Sequence, residues 1–557
     1  MQVPQTKTVD GDGHKHHITV LMMTHVLRNL PTAKHCAWVC SAGSKGYCAV
    51  KEMLQNGIPG HTLLIESGDM RDVTTIRHNH DADTQANDGD ASCCCLVYSF
   101  STNPLLAFKY STHVPSTVEH ITVYTNMTRM LRCFLEGCAF VTSMDLSAFS
   151  RVEGMIRGEF LKGCSSLKTI DLSPLSSSNA AEIDYSFLQG CAGLTSIDLS
   201  PLSKVTIARS QFLAGCSGLT TIDLAPLSNI KEVPELFLSE CTGLRSLDLT
   251  ALSQVTIIGN SFLSKCIGLT ELDLSPLSQV VEVQGSFLNG CTGLTTLDLN
   301  PLSKLPCIPY KFLSECTGLK ELDLTPLTLI RCSALSGCSA LSSLDLRPLS
   351  NLTEVNGTFL LGCSSLTSID LSPLSRLTVL PCMLAGCTTL TEVDLGPLSG
   401  AVEIGDSFFA ECTGLSTINL GPLSNVTNIQ DYFLAGCTGL TELDLTPLSQ
   451  LTVIHSSFLE GCTGLTTIDL TPLSQVWLVE SSFLAECSGL TTLDMGPLVS
   501  LQEVHEYLLS GTDLNVVENP PALCVPPSGW ALREDTNQWE WEGEEDDGDE
   551  EEEGEES

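Results

Sequence analysis

The residues of this sequence that could do chemistry are aspartates spaced about 25 residues apart. Each lies between two apolar residues of a repeated motif, and Asn419 takes the position once. We call them the Asp column; its members are Asp145, Asp171, Asp198, Asp223, Asp248, Asp273, Asp298, Asp323, Asp345, Asp370, Asp394, Asp444, Asp469 and Asp494. Carboxylates stacked at the ~4.8 Å spacing of parallel strands would repel by roughly 0.8 kcal/mol in bulk water. The column is therefore expected to have raised pKa values, to hold cations or to bind basic groups.

Three roles for the Asp column remain open. The first is a solvated feature of the repeat consensus, the second a docking face for a basic protein or peptide, and the third a groove loaded with calcium. Calcium takes six to eight oxygen ligands. One carboxylate and one hydroxyl per repeat supply few, so the third role is the weakest. For the docking face, the predicted partner-binding residues are Asp198, Asp223, Asp248, Asp273, Asp298, Asp323, Asp345, Asp370, Asp394, Asp444 and Asp469.

A second column consists of fifteen cysteines, most of them 25 residues apart. The members of this Cys column are Cys138, Cys164, Cys191, Cys216, Cys241, Cys266, Cys291, Cys316, Cys338, Cys363, Cys387, Cys412, Cys437, Cys462 and Cys487. A fixed period in this range indicates a solenoid, in which each unit buries its apolar face against its neighbours. Each cysteine after Cys138 stands three residues before a leucine that we expect to be buried, and Cys138 stands three residues before Val141. The column therefore predicts buried, free thiols, which fit a reducing compartment best.

Residues 437–462 illustrate one repeat, or rung, and are called the reference rung. Its first leucines have the spacing Leu-x-x-Leu-x-Leu, and the alternation at 443–445 predicts a short strand with its apolar side inward. Pro447 ends that strand because proline has no N–H to donate to a ladder. The chain then crosses the far side of the rung and returns to the core at Phe458, in a turn too short for a regular helix.

The aromatic residues also recur once per rung, and we predict that they are core. Removing one such ring is expected to cost roughly 3–5 kcal/mol of stability. This Phe column includes Phe160, Phe187, Phe212, Phe237, Phe262, Phe287, Phe312, Phe359, Phe408, Phe433, Phe458 and Phe483.

The strand motif at Leu440–Leu445 and the run Phe-x-x-x-Cys-x-x-Leu at Phe433–Leu440 resemble the leucine-rich repeat superfamily, and within it the BspA-like type. The resemblance covers about 118–512, although Phe-Leu replaces the Ala-Phe usual in that type and the rungs are a little longer. It implies a curved leucine-rich repeat solenoid with one parallel β-strand per repeat and a mostly irregular or short-helical convex side. The Asp column would then point out from the concave face. The resemblance also implies a function like that of the cell-surface adhesion or interaction proteins of this type in bacteria and protists.

Composition divides the chain into four segments. We predict an N-terminal region of uncertain fold at 1–117, the leucine-rich repeat solenoid with degenerate capping units at 118–519, a Pro/Trp connector at 520–539 and a disordered acidic tail at 540–557. The strand expected at 118–123 would be the first of the array. The connector's tryptophans are expected to cover the end of the solenoid.

Two features break the regularity. In the N-terminal region, cysteines and histidines such as Cys36 and Cys40 are potential zinc ligands, but their spacing matches no standard finger, so no metal or cofactor is predicted. Within 305–345 the cysteine spacing falls to 22 residues and Ala334 replaces phenylalanine, while Arg347 interrupts a column of small residues. That segment is interpreted as decay of the repeat, or else as a bend or a specific contact.

The net charge of −39 excludes several functional classes. Nucleic acids and anionic membranes favour basic surface, so neither is an expected partner. No apolar run approaches 18 residues, so no membrane span is expected. The sequence has neither Gly-x-Ser-x-Gly nor His-Glu-x-x-His, and we predict that the protein is not an enzyme. The predicted function is a cytoplasmic protein-protein interaction scaffold whose partner has a basic surface; the alternative is a cell-surface or secreted BspA-like adhesin.

Overall fold

The structure is a computed structural model. It describes 134–326 except 153 and 179, and 333–541 except 356, 506, 515, 521–529 and 534. Four strands that precede these ranges are described by their backbone. The chain divides into two compact units, 1–269 and 270–557.

The first unit begins with a parallel sheet of five strands in sequential order. The strands are β1 (Ala37–Val39), β2 (His61–Ser67), β3 (Cys94–Phe100), β4 (Val118–Val123) and β5 (Ser143–Asp145). Leu63 pairs with Leu96 and Ile121 with Met144. The strand at 118–123, expected to be the first of the array, therefore has a parallel neighbour on both sides, and parallel pairing is already present at β1.

Shorter parallel pairs continue through the first unit, and each strand has only two residues. They are β6 (Met155–Ile156), β7 (Glu182–Ile183) and β8 (Ile207–Ala208), which pair in that order, and β9 (Glu232–Val233) with β10 (Ile257–Ile258). One-turn 3₁₀ helices alternate with these strands, at Ser147–Phe149, Ser173–Ser177, Ser200–Leu202, Ala225–Leu227 and Thr250–Leu252.

The second unit repeats this plan. Its two-residue strands are β11 (Glu282–Val283), β12 (Val379–Leu380), β13 (Glu403–Ile404), β14 (Asn428–Ile429), β15 (Val453–Ile454), β16 (Leu478–Val479), β17 (Leu493–Asp494) and β18 (Glu503–Val504). Strands β12–β13–β14 form one parallel ladder and β15–β16–β18 another. The 3₁₀ helices lie at Ser275–Leu277, Asn300–Leu302, Arg347–Leu349, Ser372–Leu374, Gly396–Leu398, Gly421–Leu423, Thr446–Leu448 and Thr471–Leu473.

The fold of a leucine-rich repeat solenoid is confirmed. β5 and β17 lie at the motif that holds the Asp column, as predicted, but β6–β16 and β18 lie on a different side of their rungs from the one predicted. The reference rung has its ladder strand at β15, whereas the segment 443–445 forms no regular strand. The reason is local. The 3₁₀ helix begins at Thr446 and turns the backbone away immediately after the Leu-Asp-Leu motif. Neighbouring rungs meet there through isolated bonds, such as Lys320 N–H to the Thr295 carbonyl at 3.1 Å.

A tight corner joins each rung to the next. Its sequence is Phe-Leu-x-Gly-Cys in the reference rung, and Glu or Lys replaces the Gly in some other rungs. At the corner of the reference rung Ser457, Leu459 and Gly461 all have positive φ, at 59°, 60° and 66°. This conformation aims backbone groups along the stack, so that Leu459 N–H donates to the Phe433 carbonyl at 3.0 Å. Gly461 N–H donates to the Ala485 carbonyl at 2.7 Å. The corner therefore supplies the rung-to-rung hydrogen bonds that a continuous sheet would otherwise provide.

The Phe column lies inside this corner and is core, as predicted. Its rings are at most 1% exposed. Phe212 stacks between Phe187 and Phe237, with ring centroids 5.5 and 5.4 Å apart and interplanar angles of 13° and 9°. In the rung where the cysteine spacing falls to 22 residues, Ala334 takes the place of the phenylalanine and is fully buried. That rung keeps its corner bonds, since Leu335 N–H still donates to the Phe312 carbonyl at 3.0 Å.

The last rung is covered by an antiparallel hairpin. Strand β19 (Val516–Glu518) continues the parallel pairing from β17, and β21 (Gln538–Trp541) runs antiparallel to it, with β20 (Trp530–Arg533) outermost. Trp539 is fully buried and Trp530 is 8% exposed. Tryptophans therefore cover the last rung, as predicted. Glu540 and Trp541, placed in the acidic tail by sequence, belong to the hairpin.

Candidate functional site

Every member of the Asp column, in both units, makes the same hydrogen bond to its own turn. The Oδ1 atom accepts the backbone N–H of the residue two positions on, at 2.8–2.9 Å. In the reference rung the pair is Asp444 and Thr446, where Thr446 is the first residue of the 3₁₀ helix. Asn419 accepts the same bond from Gly421 at 2.9 Å. The column thus caps the turns of the rungs, and an amide oxygen can replace the carboxylate.

The capping bond changes the acidity of the column. Hydrogen bonds from the side chain and backbone of the residue two positions on lower the pKa of Asp171, Asp273, Asp323, Asp370, Asp444 and Asp469 from its usual value. Each such donor is a serine or threonine. A donor to the carboxylate stabilises the charged form. The expectation of raised pKa values is therefore wrong for these residues, which remain ionised well below neutral pH.

One rung neutralises its own carboxylate. Arg347 Nε donates to Asp345 at 2.8 Å, and this guanidinium lowers the pKa of the Asp345 carboxyl, chiefly by its hydrogen bond. Arg347 was expected to interrupt a column of small residues, and the structure shows which charge it covers. Any basic partner of the column has to compete with Arg347 at this rung.

The rungs that follow hold acidic residues and no basic ones. Between Arg376 and Arg533 the sequence has seventeen Asp and Glu residues and neither Lys nor Arg. Four members of the Asp column lie in this segment, from Asp394 to Asp494, together with Asn419. Their side chains are solvent-exposed. The segment therefore presents carboxylates that no Lys or Arg within it can neutralise.

The Cys column is free and buried, as predicted. Thirteen of its thiols donate to the carbonyl oxygen of a corner residue in the preceding rung, with Sγ–O distances of 3.0–3.5 Å. Cys462 Sγ, for example, lies 3.2 Å from the Leu434 carbonyl. Burial raises the pKa of thiols such as Cys191 and Cys412 to about 12. Since the thiolate is the reactive form, these thiols are inert in the folded protein.

Sequence reasoning missed one group of side chains. Asp431, His455 and Glu480 come from three successive rungs, and one ligand atom from each lies within 4.8 Å of the others. The signal was present in the numbering, because the three positions differ by 24 and 25 residues in an array of period 25. It carries meaning only once the stacking of the rungs is known.

The predicted site residues are thus brought into equivalent positions on each unit's rungs. The cysteines and histidines of 1–110 considered as zinc ligands have side chains outside the described residues, and the acidic tail beyond Trp541 lies outside them too. Within the described part of the chain no helix is long and apolar enough to cross a membrane.

Comparison with known families decides the assignment. The family model for the BspA type leucine rich repeat region (6 copies) matches residues 108–220, 132–270, 256–391, 307–423 and 383–515, which together span 108–515. The chain belongs to the BspA type of leucine-rich repeat proteins. No curated protein sequence matches this BspA-type chain.

Two of the solved structures similar to this BspA-type protein come from bacteria. The functional domain of InlJ from Listeria monocytogenes, which includes a cysteine ladder, is 19% identical over 74% of this chain and 86% of its own, with a TM-score of 0.37. A leucine rich cell surface protein from Faecalibacterium prausnitzii A2-165 is 20% identical over 58% of this chain and 78% of its own, with a TM-score of 0.34.

Proposed function

We propose that this BspA-type protein is a non-enzymatic protein-binding scaffold, and that its partner presents a basic surface to the Asp column. The observation that carries the proposal is the state of those carboxylates. They are exposed, and seven of them have a pKa lowered by hydrogen bonds from the residue two positions on. A fixed row of charges at rung spacing suits an extended basic segment or a basic face.

The internal hydrogen bonds also limit what else the column could bind. Oδ1 of each aspartate already accepts a backbone N–H, so at most one carboxylate oxygen per rung is left for a ligand. In Asp198 and Asp345 that oxygen accepts a hydrogen bond from Ser200 and Arg347. Calcium needs six to eight oxygen ligands, and the column alone cannot supply them. An ammonium or guanidinium group can donate to the single remaining oxygen of a rung and to water or a neighbouring rung with its other N–H groups, so basic groups suit the column better.

The segment without Lys or Arg is the part of the face on which we expect the partner to dock. Elsewhere Arg347 neutralises Asp345, and any partner has to displace it. Opposite charge accelerates encounter and is screened by salt, with a Debye length of about 8 Å at physiological ionic strength. Binding is therefore expected to weaken steeply as salt rises. The acidic tail is expected to assist the approach of the partner.

The test compares two triple variants that remove the same net charge. In the first, Asp394, Asp444 and Asp469 become Asn, which Asn419 shows to be an adequate cap. In the control, Glu315, Glu411 and Glu486 become Gln; these exposed residues stand directly before column cysteines, at the corners of their rungs. The probe is a fluorescein-labelled oligolysine peptide, measured by anisotropy at low and at physiological salt.

We expect the Asp variant to bind the probe at least ten-fold more weakly than wild type and with a flatter salt dependence. The control variant should stay within two-fold of wild type. Equal losses in both variants would mean that only net charge matters, and the column would then be a capping device without a docking role. Far-UV circular dichroism of each variant checks that the fold is retained.

The second candidate function is a cell-surface or secreted adhesin, which the resemblance to BspA-like proteins implies. One observation favours it: the free thiols of the Cys column do not require a reducing compartment. Buried thiols with raised pKa values withstand an oxidising environment without pairing. Immunofluorescence of the C-terminally tagged protein separates the two locations. Staining of intact cells indicates the surface, whereas staining that requires permeabilisation indicates the cytoplasm.

A further inference from the structure

We propose that Asp431, His455 and Glu480 form a binding site for a divalent transition-metal ion of the zinc type. The site is independent of the Asp column and of the basic partner proposed for it. Each residue comes from a different rung of the second unit, so the stacking of the array assembles the site. A carboxylate, an imidazole and a second carboxylate are donors that zinc accepts in proteins.

The distances are close to those of a coordination sphere. With zinc–ligand bonds of about 2.0–2.1 Å, ligand atoms of a tetrahedral site lie about 3.3 Å apart. His455 Nδ1 lies 3.2 Å from Glu480 Oε2, and all three ligand atoms fall within 4.8 Å of one another. Three protein ligands leave one tetrahedral position open for water or for a group of a partner.

The neighbouring rungs hold the ligands in place. Ser456 N–H donates to Asp431 Oδ1 at 3.0 Å, and Ser456 Oγ donates to Glu480 Oε2 at 3.2 Å. The side chains of His455 and Glu480 are each 25% exposed. Second partners of this kind orient metal ligands and limit their mobility. The cluster is therefore partly enclosed, yet accessible to an ion from solvent.

The site lies where the parallel ladder of the second unit is interrupted. β14 is the last strand of one ladder and β15 the first of the next, and no pairing between them is found among the described residues. Asp431 follows β14, while His455 and Glu480 follow β15 and β16. The rungs that carry β14 and β15 are joined by backbone bonds at their corner, such as Leu459 N–H to the Phe433 carbonyl, and in addition by the Asp431 carboxylate, which accepts the Ser456 N–H.

Charge in this part of the chain also favours a cation. The site lies inside the segment from 377 to 532 that lacks Lys and Arg, so no ammonium or guanidinium group of that segment competes for its carboxylates. Two carboxylates and one neutral imidazole give the ligand set a charge of −2, which a divalent ion balances. The imidazole nitrogen favours zinc and similar metals over calcium and magnesium, which prefer oxygen ligands.

The array supplies conservative substitutions for a test. Gln430 takes the position of His455 one rung earlier, and Ser456 takes the position of Asp431 one rung later. His455→Gln and Asp431→Ser therefore introduce residues that the same fold already carries there. His505→Gln is the matched control, since His505 takes the position of Glu480 one rung later and contacts Glu503 at 3.3 Å.

The experiment uses the full chain, reduced and stripped with chelator, and titrated with zinc chloride in equilibrium dialysis. We expect His455→Gln and Asp431→Ser to bind one zinc ion fewer than wild type, and His505→Gln to bind as many as wild type. Cobalt(II) substitution separates this site from thiolate sites. The absorption lost in His455→Gln should be d–d bands without sulfur charge transfer.

Two results would overturn the proposal. The first is equal zinc stoichiometry in wild type and His455→Gln. The second is a set of cobalt spectra in which only sulfur-ligated bands appear and no variant changes them. If magnesium or calcium chloride replaces zinc with equal affinity, the site is a general electrostatic cation site, and the assignment to transition metals is refuted.

Discussion

Truncation of one ring of the Phe column tests the energetics of the stack. Phe212→Ala removes a fully buried ring that stacks on two others, with centroids 5.5 and 5.4 Å away. The void cannot collapse easily. Leu213 N–H donates to the Phe187 carbonyl at 3.0 Å and Leu238 N–H to the Phe212 carbonyl at 3.1 Å. These backbone bonds fix the distance between the rungs, so the rungs cannot move together to fill the void.

The loss is therefore expected at the upper end of the range for buried phenylalanine, about 4–5 kcal/mol. Phe212→Met is the matched control because Met383 occupies the equivalent position of another rung and is fully buried. This control is expected to cost less than about 1.5 kcal/mol, since it conserves most of the volume.

Two probes of urea unfolding locate the damage. Four of the five tryptophans lie in the second unit, at or after Trp477, so fluorescence reports mainly on that end, whereas circular dichroism reports on all rungs. Contacts in a repeat array are made between neighbours, and a weak rung can unfold with its vicinity first. Phe212→Ala should bring an early phase in circular dichroism while the fluorescence midpoint stays near wild type. A loss below about 1 kcal/mol, or an equal loss in Phe212→Met, would refute the packing argument.

Three further outcomes are expected. Gly439→Ala should destabilise the fold by more than about 2 kcal/mol, since the added Cβ would lie 2.5 Å from the Thr413 carbonyl oxygen. Gly461→Ala should cost only about 1 kcal/mol, because the residue has a φ of 66° and its Cβ meets no such clash. If the two variants lowered the urea midpoint equally, this reasoning would be contradicted. Asp444→Ala should lower the melting temperature while Asp444→Asn leaves it nearly unchanged, because the amide keeps the cap; equal melting temperatures would show that the cap is dispensable. The folded protein should lose stability as pH rises from about 9 to about 12, because buried column thiols with pKa values near 12 stay protonated while unfolded ones ionise. Each such thiol contributes about 1.4 kcal/mol per pH unit in that window, and urea midpoints that do not fall above pH 9 would contradict it.

The core was predictable from the sequence because it depends on periodicity alone. Leucines, phenylalanines and cysteines recur at fixed positions, and stacking buries each class in its own column. The position of the ladder was not predictable in the same way. Two short apolar alternations compete within each rung, at 443–445 and at 453–454 in the reference rung. The alternation at 443–445 runs directly into the capped turn that begins at Thr446, whereas the alternation at 453–454 forms the regular strand.

The acidity of the Asp column shows a second limit. The sequence gives the distance between successive carboxylates, which predicts repulsion and raised pKa values. It does not reveal that Oδ1 of Asp444 turns back to its own chain and accepts the Thr446 N–H. A hydrogen bond at 2.9 Å outweighs a like charge one rung away that is screened by water. Local geometry thus reverses the sign that the spacing alone predicts.

The cluster at Asp431, His455 and Glu480 shows a third limit. Asp431 is offset by one position from the other two in the repeat alignment, so no column contains all three. A search for equivalent positions does not find it. The three side chains still meet, because carboxylate and imidazole side chains are long enough to compensate for a shift of one residue along the backbone.

The bonds of the corner have a mechanical consequence. Each rung is joined to its immediate neighbours by a few backbone groups, one thiol and its buried apolar side chains, so a rung that detaches exposes the apolar face of the next one, which can then detach in turn. About 25 residues of released chain extend to roughly 80–90 Å under tension. Pulled from its ends, the protein would lengthen in steps of that size, each step giving up one rung. Under load the protein would therefore extend stepwise, and every added copy of the repeat would add one more step of that length.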